Sequence, residues 1–157
     1  MGIKDIFLQK GWAGRTISRP ETVARINPLV QQHLELMHAY NYVAAHYGDG
    51  DLTTDLIEIR KTIRADIGKL AETVFSAGGT PPNGTDLEPG DFNLGDDPYG
   101  MLTDLQDQEQ VFQEALTAEA SVEHQMRTRA ILGVVQASSK ARLDVLKKQA
   151  RTSALRH

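Results

Sequence analysis

The sequence predicts an all-α protein, a four-helix bundle of two antiparallel hairpins joined by one long crossover. Three observations predict it. Apolar residues recur at spacings of three and four through most of the chain, with Leu, Ile, Val and Ala dominating over aromatics. A short Gly48-Asp49-Gly50 break separates the first two periodic segments, whereas Gly and Pro crowd a much longer break at 78–97. The chain has 157 residues, which fits one domain able to bury a real core.

Residues 1–26 read as an N-terminal arm or short helix. Ile6, Phe7, Leu8 and Trp12 can pack, while Gly11, Gly14 and Pro20 oppose a long helix. The first long helix is expected to start at Asn27-Pro28, a capping residue followed by Pro, and to run to about Tyr47. Leu29, Val30, Leu34, Leu36, Met37, Tyr40, Val43 and Ala44 form its apolar stripe. The second is expected from Thr53-Thr54-Asp55 to Gly78-Gly79, with a seam of Leu56, Ile59, Ile63, Ile67, Leu70 and Val74. The short connection makes the two antiparallel.

Residues 78–97 hold five Gly and three Pro and no helical period, too long a connection for a hairpin. A helix of about 24 residues is roughly 36 Å long. Twenty extended residues reach roughly 66 Å, so this loop can run the whole bundle. Helical signal resumes near Pro98 and continues through Met101, Phe112, Leu132 and Leu146 to about Arg151. That span exceeds a normal globular helix, so a break is expected near Glu119–Glu123, although no Gly or Pro marks it. The competing arrangement is one very long helix in an oligomeric coiled coil. The bundle then covers 27–151, with 152–157 a tail.

Charge and composition narrow the function. No window approaches the roughly 18–20 apolar residues of a membrane span, and Met1-Gly2-Ile3-Lys4-Asp5 lacks a signal-peptide core. Without Cys there is no disulfide, thiolate zinc site or thiol nucleophile. A soluble cytoplasmic protein is expected. No Lys or Arg occurs between Lys69 and Arg127, a stretch with twelve acidic residues. From Lys140 onward the chain is basic, with Asp144 the lone acid. No aromatics interleave with these cations, so a solvated helix end is favoured over a nucleic-acid-binding tail. Association between acidic and basic surfaces is a further possibility.

The segment Glu35-Leu36-Met37-His38-Ala39-Tyr40-Asn41-Tyr42 resembles the first helix of the bacterioferritin and rubrerythrin group, where a Glu precedes a Tyr at this spacing. Leu70-Ala71-Glu72-Thr73-Val74-Phe75-Ser76-Ala77-Gly78-Gly79-Thr80-Pro81 also resembles that group, and equally small bacterial ferritin-like proteins of unknown function. The similarity spans 27–151 in layout and these two stretches in motif. It implies a ferritin-like fold, with Glu35 as a metal carboxylate and Tyr42 as its buried neighbour.

A carboxylate-bridged di-iron or di-manganese centre needs a Glu from each of two helices and a Glu-x-x-His from each of the other two. The resemblance places those pairs on Ile63-x-x-Asp66 and Ser139-x-x-Arg142, and the third-helix Glu on Glu109, with Gln106 its rival. Both His and both partner Glu are therefore absent. Two readings of Asp66 and Arg142 follow. They replace the metal with an interior charge pair, with Glu35 or Glu109 as further acceptors, or they lie at the bundle edge with Arg142 in solvent.

Other candidates are weaker. Glu35-x-x-His38 with His33, His46 and His124 could form an off-axis metal site, but no two His stand at i,i+4. Asp91–Asp97 lacks the Gly and Glu of a calcium loop. Ser138-Ser139-Lys140 lacks a P-loop context, and neither Ser has an identifiable base. The expected function is non-catalytic: a ferritin-like protein that has lost its di-metal centre and acts as a structural, binding or stress-associated module. No cofactor is expected, and a homodimer or higher homo-oligomer is. The first alternative is an iron or manganese oxidase or storage protein centred on Glu35, Asp66 and Glu109. The second is a charge-driven self-assembly protein.

Overall fold

The computed structural model describes residues 16–48 and 50–156, and everything structural below refers to these. They form four helices and no strand: α1 (Arg19–His46), α2 (Gly50–Ser76), α3 (Pro98–Ala120) and α4 (Met126–Arg156). A short 3-10 turn, Pro89–Asp91, lies in the crossover. α1 packs against α2 and α3, and α4 packs against the same two, so α1 and α4 share a diagonal of the bundle. No helix is long and apolar enough to cross a membrane.

α1 begins earlier than the Asn27-Pro28 expectation. Ser18 is the N-cap, its Oγ accepting from the Glu21 N–H at 3.2 Å, with Pro20 in the first turn. Ser18 thus caps the helix, with the Glu21 carboxyl 3.5 Å from its hydroxyl, and residues 19–26 belong to the bundle rather than to an arm. Pro28 is carried inside the helix. Asn27 does not cap; its Nδ2 reaches the Thr80 carbonyl and ties down the crossover. The rest of the expected arm, residues 1–15 with Trp12, lies outside the described residues.

α1 stops at Tyr47, and Gly48 follows with φ 76°, a left-handed position that suits glycine. α2 ends in a Schellman turn: Gly78 has φ 87°, its N–H bonds Phe75 O, and the Gly79 N–H bonds Val74 O. Gly79 is also pressed on α1, where a Cβ would stand 2.6 Å from both methyls of Val23.

From there the crossover climbs α1. Phe92 stacks on His38 with ring centroids 4.8 Å apart, and Tyr42 Oη donates to Gly95 O at 2.7 Å. The loop therefore lies against α1 from its first turns to its last. Asp97 caps α3, its Oδ2 accepting from Gly100 N–H at 3.0 Å.

The break between α3 and α4 falls at 121–125, where it was expected. Ser121 Oγ takes the Ala118 carbonyl at 2.7 Å, which ends the helix without Gly or Pro. Buried His124 then holds Glu119 at 2.7 Å, and Arg25 of α1 meets the same carboxyl at 3.6 Å. α4 runs past the expected end at Arg151 through Arg156, since no breaker stops it and Ser153 is still buried. The expected 152–157 tail is mostly its last turn.

Candidate functional site: a polar cluster inside the bundle

The core is lined by Ile26, Val30, Tyr40, Leu56, Ile63, Leu70, Leu105, Phe112, Leu132 and Leu146, all essentially buried. Within it each helix contributes polar groups: His33 and Tyr40 from α1, Asp66 from α2, Glu109 from α3, and Ser139 and Arg142 from α4. Arg142 is 2 % exposed, so the reading that put it in solvent at the bundle edge is excluded.

Glu109 is the hub. Its Oε1 accepts from Tyr40 Oη at 2.6 Å, and its Oε2 from Ser139 Oγ at 2.8 Å. Arg142 grips both oxygens, Nε on Oε1 and Nη2 on Oε2 at 3.1 Å, the fork geometry that suits a guanidinium. Asp66 stands on the other side: Arg142 Nη1 lies 3.8 Å from its Oδ2, an ion pair without a hydrogen bond. Lys69, half exposed one turn along α2, reaches Asp66 Oδ1 at 3.5 Å.

His33 closes the cluster across the bundle axis. Its Nε2 lies 3.5 Å from Arg142 Nη2, and its ring packs against Phe112 with centroids 4.5 Å apart. Arginine can only donate, so Nε2 is the acceptor and the ring proton sits on Nδ1, which has no partner. Burial, and then the nearby Arg142 charge, lower the His33 pKa to about 3. The imidazole is neutral at ordinary pH. Tyr40 is pushed well above its usual value, first by burial and then by the Glu109 charge. For Arg142, burial opposes the charge, but the hydrogen bonds and charge of Glu109, helped by Tyr40 and Asp66, hold its pKa above the ordinary one.

The residues expected from sequence fall out unevenly. Asp66, Glu109 and Arg142 come together, with Ile63 and Ser139 beside them and buried. Glu35 does not join them: it lines an outer groove of about 230 Å³ between α1 and α3, with Gln32, Leu36, Asp107, Gln108 and Val111. Tyr42 faces the crossover rather than the interior. The α1 residues inside are His33 and Tyr40, which keep the Glu-to-Tyr spacing but lie on another face. The five-residue off-axis metal set also separates, with His33 in the core, His38 and His46 stacked on Phe92 and Tyr42, and His124 held by Glu119 at the α3–α4 turn. Among the described residues, no three of His, Asp and Glu are grouped as metal ligands would be.

Residues here do not fit a di-metal group. Arg142 fills the centre with donors alone, and both Glu109 oxygens are already committed to O–H and N–H donors. The arrangement defines a four-helix bundle with an arginine-centred interior clamp. No protein-family model matches the chain, and no curated protein or solved structure is significantly similar to it.

Proposed function

We propose that this chain is a non-catalytic ferritin-like protein, up-down-down-up in helix order, that has lost a di-metal centre and serves as a structural, binding or stress-associated module of the cytoplasm. The observation that carries the reading is the Arg142 guanidinium gripping Glu109 inside the bundle, with Asp66 at 3.8 Å. Ile63, Asp66, Glu109, Ser139 and Arg142, five of the six positions the resemblance assigns to metal ligands, are buried on α2, α3 and α4, which supports the reading, while Glu35, the α1 position, is not among them. Of these five, only Glu109 retains the residue type such a centre uses at its position. The path of the crossover along α1 supports the ferritin-like connection.

The cation in this interior is a side chain rather than an ion, and it neutralises carboxyl groups that a metal would otherwise bind. Plasma mass spectrometry on protein purified without chelator or affinity tag, repeated after aerobic Fe(II) loading, tests this. Substoichiometric metal in both is expected. About two equivalents of iron or manganese per chain, the stoichiometry of a di-metal site, would overturn the reading.

A further inference from the structure

At one end of the bundle the starts of α1 and α4 and the end of α2 surround a recess of about 80 Å³. Arg19 of α1 lines it, with Glu72 of α2 and, at the head of α4, Gln125, Arg127 and Thr128.

The head of α4 carries donors that the chain leaves unused. Gln125 holds the cap position, its carbonyl accepting from the Arg129 N–H at 3.0 Å. Its side chain does not turn back onto the first turn, and among the described residues no other group takes the N–H of Met126, Arg127 or Thr128. Thr128, the third residue of the helix, is only 6 % exposed, yet its hydroxyl makes no hydrogen bond among the described residues. Nor is its oxygen one of the sealed, unpartnered polar atoms, so what surface it has opens on the recess. A nearly buried hydroxyl in that position is completed only by something from outside the chain.

The charges around the recess favour an anion. Arg19 makes no ion pair among the described residues. Arg127 meets Glu72 at 3.4 Å, but both side chains are well exposed, so this is a weak, solvated pair. The end of α2 brings carbonyls, but those of Thr73, Val74 and Phe75 are taken by the N–H groups of Ala77, Gly79 and Gly78. What remains is the positive end of the α4 dipole, two guanidiniums and a hydroxyl against one solvated carboxylate.

We propose that this recess binds a single tetrahedral oxyanion of the phosphate class, held by the first-turn amides of α4 and the Thr128 hydroxyl, with Arg19 and Arg127 as counter-charges. Such an ion presents acceptors in several directions, which suits donors arriving from two helices. A carboxylate has its acceptors in one plane, and a cation would meet two guanidiniums. Glu72 competes with the ion for Arg127.

Proton–nitrogen correlation spectra of the isotope-labelled full chain test this, with inorganic phosphate and, separately, glycerol phosphate titrated at constant ionic strength. The Arg127 and Thr128 amides should shift and saturate, with a dissociation constant of about 1 mM or less. Saturation by inorganic phosphate alone supports a free ion, and saturation by glycerol phosphate as well supports the phosphate of a larger molecule in the same site. Thr128→Val keeps the side chain's shape and should weaken binding at least about tenfold, the worth of a hydrogen bond to a charged group. Arg127→Gln and Glu72→Gln change only exposed side chains, so circular dichroism should stay as in wild type. The first should weaken binding and the second should tighten it a few-fold. Shifts that never saturate, or that scatter over exposed Lys and Arg without reaching Thr128, would overturn the proposal. So would binding that Thr128→Val leaves unchanged, that Glu72→Gln weakens, or that acetate matches.

Discussion

Replacing Arg142 with Leu probes the interior directly. The side chain is 2 % exposed, and its two carboxyl partners are 0 % and 1 % exposed, so no solvent stands ready to take its place. After Arg142→Leu, Glu109 keeps two donors, Tyr40 and Ser139, whereas Asp66 keeps only Lys69, itself 45 % exposed. Stranding one partner of a buried pair costs about 3–5 kcal/mol, and here one arginine serves two carboxyls, so a loss of about 4 kcal/mol is expected. With a urea m-value of about 2 kcal/mol/M, the midpoint should fall by roughly 2 M. Urea unfolding followed by far-UV circular dichroism near neutral pH measures it. Adding Asp66→Asn and Glu109→Gln to Arg142→Leu removes the stranded charges and should return at least about half of the loss, since a clamp replaced as a unit costs far less than one broken. A single-variant loss below about 0.5 kcal/mol, or a triple variant no more stable than the single, would refute the reasoning.

Three further outcomes are expected. His33 has a folded pKa of about 3 against an ordinary 6.5, so its contribution is fully present above pH 6.5 and is lost as pH falls towards 3, at about 1.4 kcal/mol per pH unit; urea midpoints across that range should fall more steeply for wild type than for His33→Gln, and parallel slopes would contradict this. Tyr40, raised well above 10, stabilises fully below pH 10 and loses that contribution as pH rises further. Its phenolate absorbance should appear only with alkaline unfolding, and Tyr40→Phe should leave the folded-state ultraviolet titration amplitude unchanged. Gly79→Ala drives a Cβ into Val23, whose branched side chain has little freedom to turn away, and should cost about 1–3 kcal/mol in thermal or urea unfolding.

Much of this was legible in the sequence because it rests on periodicity and spacing. The seam from Leu56 to Val74, the short break at Gly48 and the Pro-Gly crossover follow from apolar burial and turn chemistry. Asp66 and Arg142 come instead from the resemblance to di-metal bundles, which places the two ligand pairs on Ile63-x-x-Asp66 and Ser139-x-x-Arg142. The start of α1 was misplaced because Asn27-Pro28 imitates a cap. The stronger signal, Ser18-Arg19-Pro20-Glu21, offers both partners of a capping box. Glu35 lies outside the cluster for a rotational reason. Two residues along a helix turn by about 200°, so two Glu-to-Tyr-like spacings can coexist on opposite faces. The stripe Ile26, Val30, His33, Tyr40 decides between them, because His33 stands among residues that are all fully buried. The depth of Tyr40 and the commitment of both Glu109 oxygens depend on how the two hairpins meet, which no single helix encodes.

The division of the clamp between hairpins has a consequence for how the chain assembles. Glu109 and Arg142 both belong to the second hairpin, α3–α4, and can neutralise each other without the rest of the molecule. Asp66, His33 and Tyr40 all belong to the first, which emerges earlier during synthesis with a carboxyl and an imidazole set in its apolar stripe. Those groups stay hydrated while the first hairpin waits, and they make its sticky face a poor surface for anything without a well-placed cation. The later hairpin brings that cation, so the completed half of the clamp acts as the credential by which the waiting half accepts its own partner.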